Sequence, residues 1–245
     1  MGRGHPVARL SLAPSIDRGR LRRLSRRDKL ELERRAIDTF RATARFFASP
    51  GEEGSLGDDF IALAVLRHHG VPTRLLDWSS SLYVASYFAA SNLNTDGDLW
   101  TFSYQDYVIE GRKQWERWKE TTVGRSGRPE DFNASLTAFV VNEPPPWIVA
   151  MFYPAGFPRQ NAQRGAYTLT ARFNLDHGQG LKTLLVSQDR YHRFVIPAKL
   201  KAKLCRLLRE EHGVWQGSLF PDMAGAAQTA RTLFGRVGHG IRDGV

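Results

Sequence analysis

The spacing of apolar residues changes part-way along this 245-residue chain, and this change constrains its fold more than any other feature. Apolar side chains recur every three or four positions in residues 25–47, 58–70 and 82–91, which is typical of helices with one buried face. From residue 98 onwards the pattern changes, because apolar and polar residues alternate over residues 98–104 and later runs are rich in β-forming residues, both of which are typical of strands. Helices first and mostly strands later predict an α+β fold rather than alternating βαβ units.

Local signals predict where several of these elements begin and end. Ser25 opens a capping-box pattern, and the negative charges of Asp58 and Asp59 suit the N-terminal dipole of the second helix. Pro197 suits the first turn of a later helix, which Gly213 would end. Further strands are predicted at residues 147–153, 166–173, 181–186 and 193–196.

Residues 107–146 interrupt the predicted strands. Glycine and proline punctuate the middle of this segment, and a run of three prolines closes it. We therefore predict an insertion that packs beside the core of a single domain.

The charge of the chain favours acidic partners. Lys and Arg outnumber Asp and Glu by 35 to 25, which gives a net charge of +10 and a pI near 10.1. Much of the excess is local, because Arg18, Arg20, Arg22, Arg23, Arg26 and Arg27 crowd one segment. Such a cluster can bind phosphates of a nucleic acid, and its alternative is a solvated basic arm.

Cysteine content and hydropathy exclude several classes of protein. A lone cysteine, Cys205, rules out internal disulfides and cysteine-zinc sites, and its leucine neighbours favour a buried filler role. No apolar run reaches the roughly 20 residues that a membrane-spanning helix needs, and the Arg-rich start has no apolar signal core. We therefore predict a cytoplasmic protein without a membrane partner.

Residues 68–79 carry the densest set of chemically useful side chains. Imidazole, guanidinium, carboxylate, indole and hydroxyl groups occupy one passage between two predicted helices, and the amides of the following helix favour a bound anion. Singly, each has a structural alternative: His69 could end a helix, Arg74 could pair with Asp77, and Trp78 could be core. Together they favour a phosphate or pyrophosphate pocket, because so many polar groups need water or a ligand.

Four segments in order resemble the FRG domain family, which is named for a Phe-Arg-Gly motif near its start. The central segment is residues 63–90, around His69-Gly70-Val71-Pro72-Thr73-Arg74-Leu75-Leu76-Asp77-Trp78. The other motifs of the family are similar to three further segments. These are the opening Gly2-Arg3-Gly4-His5 with Leu12-Ala13-Pro14-Ser15, the late segment from Arg159 through Gln163-Arg164-Gly165-Ala166-Tyr167, and the tail Ser218-Leu219-Phe220-Pro221-Asp222. The resemblance implies one FRG-like domain over residues 1–245.

The chain departs from the family pattern at four positions. Gly2 replaces the name-giving aromatic residue, which predicts a start further upstream and a truncated first strand. Arg67 stands where Gln is usual, Phe60 where Trp is common, and Tyr167 where Phe is typical.

The layout also resembles that of ADP-ribosyltransferases, which implies N-terminal helices packed on a mostly antiparallel split sheet and NAD as a substrate, without a metal. Arg3 would grip the NAD pyrophosphate or ribose, and Trp78 or Tyr83 would stack on a ring. Asp77 and His69 would act as base or electrostatic groups, and Gln163 would stand where such transferases often place a glutamate. The remaining implied NAD contacts are Gly4, His68, Gly70, Thr73, Arg74 and Ser79.

The acceptor of ADP-ribose would be a nucleic acid or a protein, and the net charge favours a nucleic acid. The analogy implies a toxin or phage-defence effector, which a cognate inhibitor protein could accompany. One alternative is a non-catalytic module that binds a nucleotide or nucleic acid. A second is hydrolysis of NAD or a phosphodiester by His68, His69 and Asp77, although adjacent helical histidines diverge by about 100° and cannot easily share one ion.

Overall fold

The computed structural model describes residues 1–8, 11–47, 57–122, 148–151, 158–170, 172–185, 190–223, 225–227 and 229–231. Within these residues the strands form one six-stranded antiparallel sheet of order β4-β5-β2-β1-β3-β6. The strands are β1 (Gly2–His5), β2 (Leu76–Ser79), β3 (Gly97–Phe102), β4 (Ile148–Met151), β5 (Gly165–Thr170) and β6 (Tyr191–Ile196). The predicted α+β class and antiparallel pairing are confirmed. The described sheet is continuous rather than divided in two, because β1 pairs with strands on both sides.

Helices cover both faces of the sheet. They are α1 (Arg26–Ala44), α2 (Asp59–His68), α3 (Leu82–Ala90), α4 (Tyr104–Thr122), α5 (Pro158–Ala162), α6 (His177–Leu185), α7 (Ala198–His212) and α8 (Gln216–Leu219). Two 3₁₀ turns, Ser15–Asp17 and Gly19–Arg23, precede α1. No helix in the described part of the chain has the length and hydropathy to cross a membrane.

The first three helices confirm the helical patterns of the sequence. The Ser25 hydroxyl accepts the backbone N–H of Asp28 (3.1 Å) at the start of α1. The Asp58 carboxylate accepts the N–H groups of Phe60 (2.7 Å) and Ile61 (3.1 Å) at the start of α2. These side chains satisfy amides that the first turn of a helix leaves without a partner.

Strand alternation in β5 separates two apolar cores. Ala166 faces a core that contains Phe102 of β3, Tyr107 of α4 and Leu181 of α6. The next residue, Tyr167, faces a core formed with α1 and α2, which contains Phe60, Leu63 and Ile37. Because consecutive strand residues point to opposite faces, these cores lie on opposite sides of the sheet.

Two elements differ from the sequence predictions. The strand predicted at residues 181–186 is wrong, because Leu181 and Leu185 lie on one buried face of α6 at helical spacing. The predicted loop at residues 71–78 contains most of β2, a four-residue strand buried in the middle of the sheet that shows little alternation.

The predicted insertion begins as a helix that is attached to the sheet. The Tyr107 hydroxyl of α4 donates to the carbonyl of Ile148 (3.0 Å) and accepts the N–H of Ala150 (2.8 Å) in β4. Residues 123–146 of the insertion lie outside the described residues.

Candidate functional site

A cleft opens where β1 and β2 separate. These two strands pair only at Gly2 and Ser79, whereas β1 pairs with β3 at four positions and β2 pairs with β5 at four. The cleft has a volume of about 550 Å³, which lies within the usual range for sites of small ligands. Residues of both strands line it, so the separation of the ladder produces the site.

Residues outside β1, β2 and β5 complete the walls. The helix α3 contributes Ala85 and Phe88, and the end of α2 contributes Arg67 and His68. The tail after α8 contributes Phe220. The other lining residues outside β1, β2 and β5 are Pro6, Arg18, Gly70, Ser91, Arg159, Gln160 and Gln163.

Arg3 spans the gap between the separated strands. Its Nη1 donates to the backbone carbonyl of Asp77 and lies 3.8 Å from the Asp77 carboxylate. Its Nε is buried and has no hydrogen-bond partner among the described residues. Burial lowers the pKa of Arg3 to about 10, a shift that Asp77 opposes and the positive charges of Arg67 and Arg18 reinforce. Arg3 therefore remains a cation at neutral pH.

Arg67 holds the Asp77 carboxylate in one orientation. Its Nη2 and Nε lie 2.6 Å and 3.1 Å from Oδ2 of Asp77, and its Nη1 donates to the Ser15 hydroxyl at 3.2 Å. Burial opposes the charged form of Arg67, but the charge and hydrogen bonds of Asp77 outweigh it and raise its pKa. The Asp77 side chain stays 46% exposed, so the carboxylate remains accessible.

Hydrogen bonds join β2 to the late segment around α5. The Ser79 hydroxyl donates to the carbonyl of Gln163 (2.8 Å), and the Gln163 amide donates to the carbonyl of Leu219 (3.1 Å). The Trp78 indole donates to the Thr168 hydroxyl (2.8 Å) and packs edge-on against Phe102. The cleft thus brings together residues that are more than 80 positions apart in the chain.

The lining is strongly cationic. Its charged groups are the four guanidinium groups of Arg3, Arg18, Arg67 and Arg159, and Asp77 is the one carboxylate among the described lining residues. Arg159 also pairs with Asp222 at 2.6 Å. An anionic ligand would therefore find several donors in a partly water-excluded space.

Several predicted site residues line this cleft together, and others do not. Those that line it are Arg3, Gly4, His68, Gly70, Asp77, Trp78, Ser79 and Gln163. His69 ends α2 and is exposed, with its ring edge-on to His68 at 5.1 Å. Tyr83 is half-exposed on α3 and stacks on His212 at 3.8 Å.

The prediction that the Thr73 and Arg74 side chains bind the ligand is wrong in this structure. Arg74 is buried outside the cleft, where it forms an ion pair with Glu33 and lies 4.6 Å over the ring of Phe173. The Thr73 hydroxyl is buried and accepts the N–H of Leu75 at 3.3 Å. Both side chains stabilise the approach to β2 in this structure. The suggested Arg74–Asp77 pair does not form, because each partner pairs elsewhere.

Sequence reasoning did not assign several residues of the cleft to the site, among them Arg67, Arg159 and Phe220. Arg67 carried a signal, since it departs from the family pattern directly before His68. Arg159 and Phe220 lie within or beside segments that carry the family resemblance. The guanidinium of Arg159 lies 5.0 Å over the ring of Phe220, which fixes both side chains at the rim.

No group of three or more His, Cys, Asp or Glu residues in the described ranges could hold a metal ion. The hydrolase alternative needs His68 and His69 in the same site, but His68 lines the cleft and His69 does not. That alternative therefore receives no support from the geometry.

The model of the FRG domain matches residues 2–98. These residues belong to the FRG domain family. The FRG segment contains β1, α2, β2 and α3, and with them Arg3, Arg67, Asp77 and Ser79. Gln163, Arg159 and Phe220 of the cleft lie beyond it. A search of curated proteins and a search of solved structures gave no match.

Proposed function

We propose that the cleft binds NAD and that this FRG protein transfers ADP-ribose from NAD to a macromolecular acceptor. The observation that carries the proposal is the position of one exposed carboxylate, Asp77, among the guanidinium groups of Arg3, Arg18 and Arg67. The similarity of the sequence layout to ADP-ribosyltransferases supports the same reaction. The acceptor is a nucleic acid or a protein.

The guanidinium groups suit the pyrophosphate of NAD. Arg3 is held by the Asp77 backbone carbonyl, and Arg18 is held by two hydrogen bonds to the carbonyl of Ala13 (2.8 and 2.6 Å). Both side chains are therefore oriented before a ligand arrives, which lowers the entropy lost on binding. Planar guanidinium groups bind phosphate oxygens bidentately, so two of them can neutralise the two phosphates.

The chemistry assigned to Asp77 is electrostatic. In the proposed step the bond between the ribose anomeric carbon and the nicotinamide nitrogen breaks, and nicotinamide leaves as a neutral molecule with the bonding electrons. The ribose then carries positive charge, which a fixed carboxylate stabilises. A nucleophilic oxygen or nitrogen of the acceptor forms the new bond to the anomeric carbon and loses its proton to Asp77 or water.

A second candidate function is nucleotide binding without turnover. The observation in its favour is that the cleft offers no readily available base. Asp77 already pairs with Arg67, and Gln163 cannot act as a base at neutral pH. The same guanidinium groups would bind the nucleotide in this case.

Labelled NAD distinguishes the two functions. Purified protein is incubated with NAD labelled in the adenosine half, together with DNA, RNA or protein, and both nicotinamide release and transferred label are measured. Transfer supports the proposed function. Binding of NAD without nicotinamide release contradicts it and supports the binding module.

The Asp77→Asn variant tests the assigned role of the carboxylate. We expect kcat to fall by roughly 100-fold or more, the magnitude typical of losing one preorganised electrostatic group. Asp59→Asn is a matched control, because Asp59 forms an exposed pair with Arg41 (2.7 Å) outside the cleft. A fully active, folded Asp77→Asn variant would remove Asp77 from the mechanism.

A further inference from the structure

An arginine surface lies beside the cleft. It consists of the exposed side chains of Arg18, Arg20, Arg22, Arg23 and Arg27, on the 3₁₀ turn Gly19–Arg23 and on either side of it. The sequence from residue 18 to residue 27 contains no Asp or Glu, so cations dominate this stretch. Arg18 is shared with the cleft lining, which makes the surface and the cleft continuous.

These five arginines lack the ion pairs that several other arginines of the described fold form. Arg67, Arg74, Arg159 and Arg193 each form an ion pair with a carboxylate. None of the five surface arginines forms an ion pair with any residue that the structure describes. Their positive charge is therefore not neutralised within the described fold and remains available to an external polyanion.

The backbone beneath the surface is attached to the fold on both sides of the turn. Lys29 and Asp17 form a fully buried ion pair at 2.7 Å, and Lys29 also donates to Asn174 at 2.8 Å. The backbone N–H of Ile16 donates to the carbonyl of Thr73 (3.3 Å). The turn is thus attached at both ends to the body of the protein, and little backbone order need be gained on binding.

The dimensions and composition of the surface suit a phosphate backbone. Five residues of 3₁₀ helix rise about 10 Å, and phosphates of one DNA strand repeat every 3.4 Å along the axis, so roughly three phosphates fit the turn. No aromatic residue occurs from residue 11 to residue 39, so the surface has no aromatic side chain on which bases could stack. Arginine contacts to phosphates position a nucleic acid without reading its sequence.

We propose that the arginine surface binds the sugar-phosphate backbone of a nucleic acid, independently of base sequence, and that this nucleic acid is the acceptor at the adjoining cleft. The second half of this inference rests on the proposed ADP-ribosyl transfer. The first half concerns binding alone and can be measured without NAD.

The test compares two charge-matched triple variants. The first is Arg20→Ala with Arg22→Ala and Arg23→Ala, and the control is Lys199→Ala with Lys203→Ala and Arg206→Ala on the exposed side of α7. Affinity for a short labelled DNA duplex is measured by fluorescence anisotropy over a series of salt concentrations, for several base sequences. Circular dichroism verifies that both variants fold.

We expect the arginine variant to lose two to three phosphate contacts. The slope of log affinity against log salt should become shallower by roughly 2 to 3, and the control slope should match the original protein. Equal losses in the two variants, or an unchanged slope in the arginine variant, would overturn the binding surface. A preference of more than about 10-fold among base sequences would overturn its indifference to sequence, since each base-specific contact is worth about 1–3 kcal/mol.

Failure of this inference and failure of the proposed function give different experimental results. Salt-dependent binding that needs the three arginines, without any NAD turnover, keeps the binding surface and overturns the transferase and acceptor assignments. Transfer of label to nucleic acid at an undiminished rate by the arginine variant overturns the docking role and keeps the transferase.

Discussion

Neighbouring residues in and before β2 have different environments. Side chains alternate along a strand, so Asp77 and Ser79 share one face of β2 while Leu76 and Trp78 share the other. Thr73 and Arg74 precede the strand and enter the interior near α1. A sequence segment that looks like one ligand-binding loop therefore supplies both cleft residues and core residues.

We predict that Arg74→Ala destabilises the protein by about 3–5 kcal/mol, because the variant leaves Glu33 buried without its cation. Urea unfolding measures the loss. The control is Arg34→Ala, which removes an exposed pair with Glu31 and should cost less than about 1 kcal/mol. A double variant, Glu33→Leu with Arg74→Met, should recover part of the stability. NAD affinity of folded Arg74→Ala should be unchanged, and a large loss of affinity would restore Arg74 to the site.

At the scale of elements, the contact between β1 and α3 forms one wall of the cleft. The strand approaches the helix closely because Gly4 has no side chain: a Cβ there would lie 1.9 Å from the carbonyl oxygen of Ala85 and 2.3 Å from the backbone nitrogen of Ala89. Small residues on α3 make the same approach possible from the other side. The position of Arg3 over the gap therefore depends on how closely β1 and α3 pack.

We predict that Gly4→Ala forces β1 and α3 apart, because only backbone atoms oppose the added methyl group. Overpacking of this kind costs about 1–3 kcal/mol. For a domain of this size each kcal/mol lowers Tm by roughly 2–4 °C, which thermal unfolding can detect. The matched control is Gly57→Ala, where no atom lies within 4 Å of the added group. Equal Tm values for the two variants would contradict the close packing.

At the scale of the whole molecule, a buried polar chain crosses from the sheet to α6. The Thr168 hydroxyl accepts from the Trp78 indole and is hydrogen-bonded to Nδ1 of His177, each at 2.8 Å. His177 is fully buried, and its Nε2 has no partner among the described residues. Burial, reinforced by the charge of Arg3, lowers the pKa of His177 to about 3. The folded protein therefore keeps this imidazole neutral.

This shift makes global stability depend on pH. The pKa of His177 is near 6.5 when exposed, so between pH 6.5 and pH 3 the unfolded chain binds more protons at this residue than the folded protein does. The His177 contribution is complete above pH 6.5, and stability falls as the pH drops through this range, by up to about 1.4 kcal/mol per pH unit.

The measurement is the slope of the unfolding free energy against pH in urea titrations. We expect His177→Gln to have a shallower slope by about one proton, whereas His192→Gln, which changes an exposed histidine, should retain the original slope. An identical slope in His177→Gln and the original protein would contradict the buried neutral imidazole.

The sequence by itself determined the α+β class, the starts of the first two helices and most segments that line the candidate cleft, because these follow from local periodicity, capping residues and motif resemblance. Only the tertiary structure decided which side chains share the cleft. Arg67 and Arg159 are 92 positions apart in the sequence, and their meeting depends on strand order and on the separation of β1 from β2. Such long-range pairing has no local signature, since it arises from packing of distant segments.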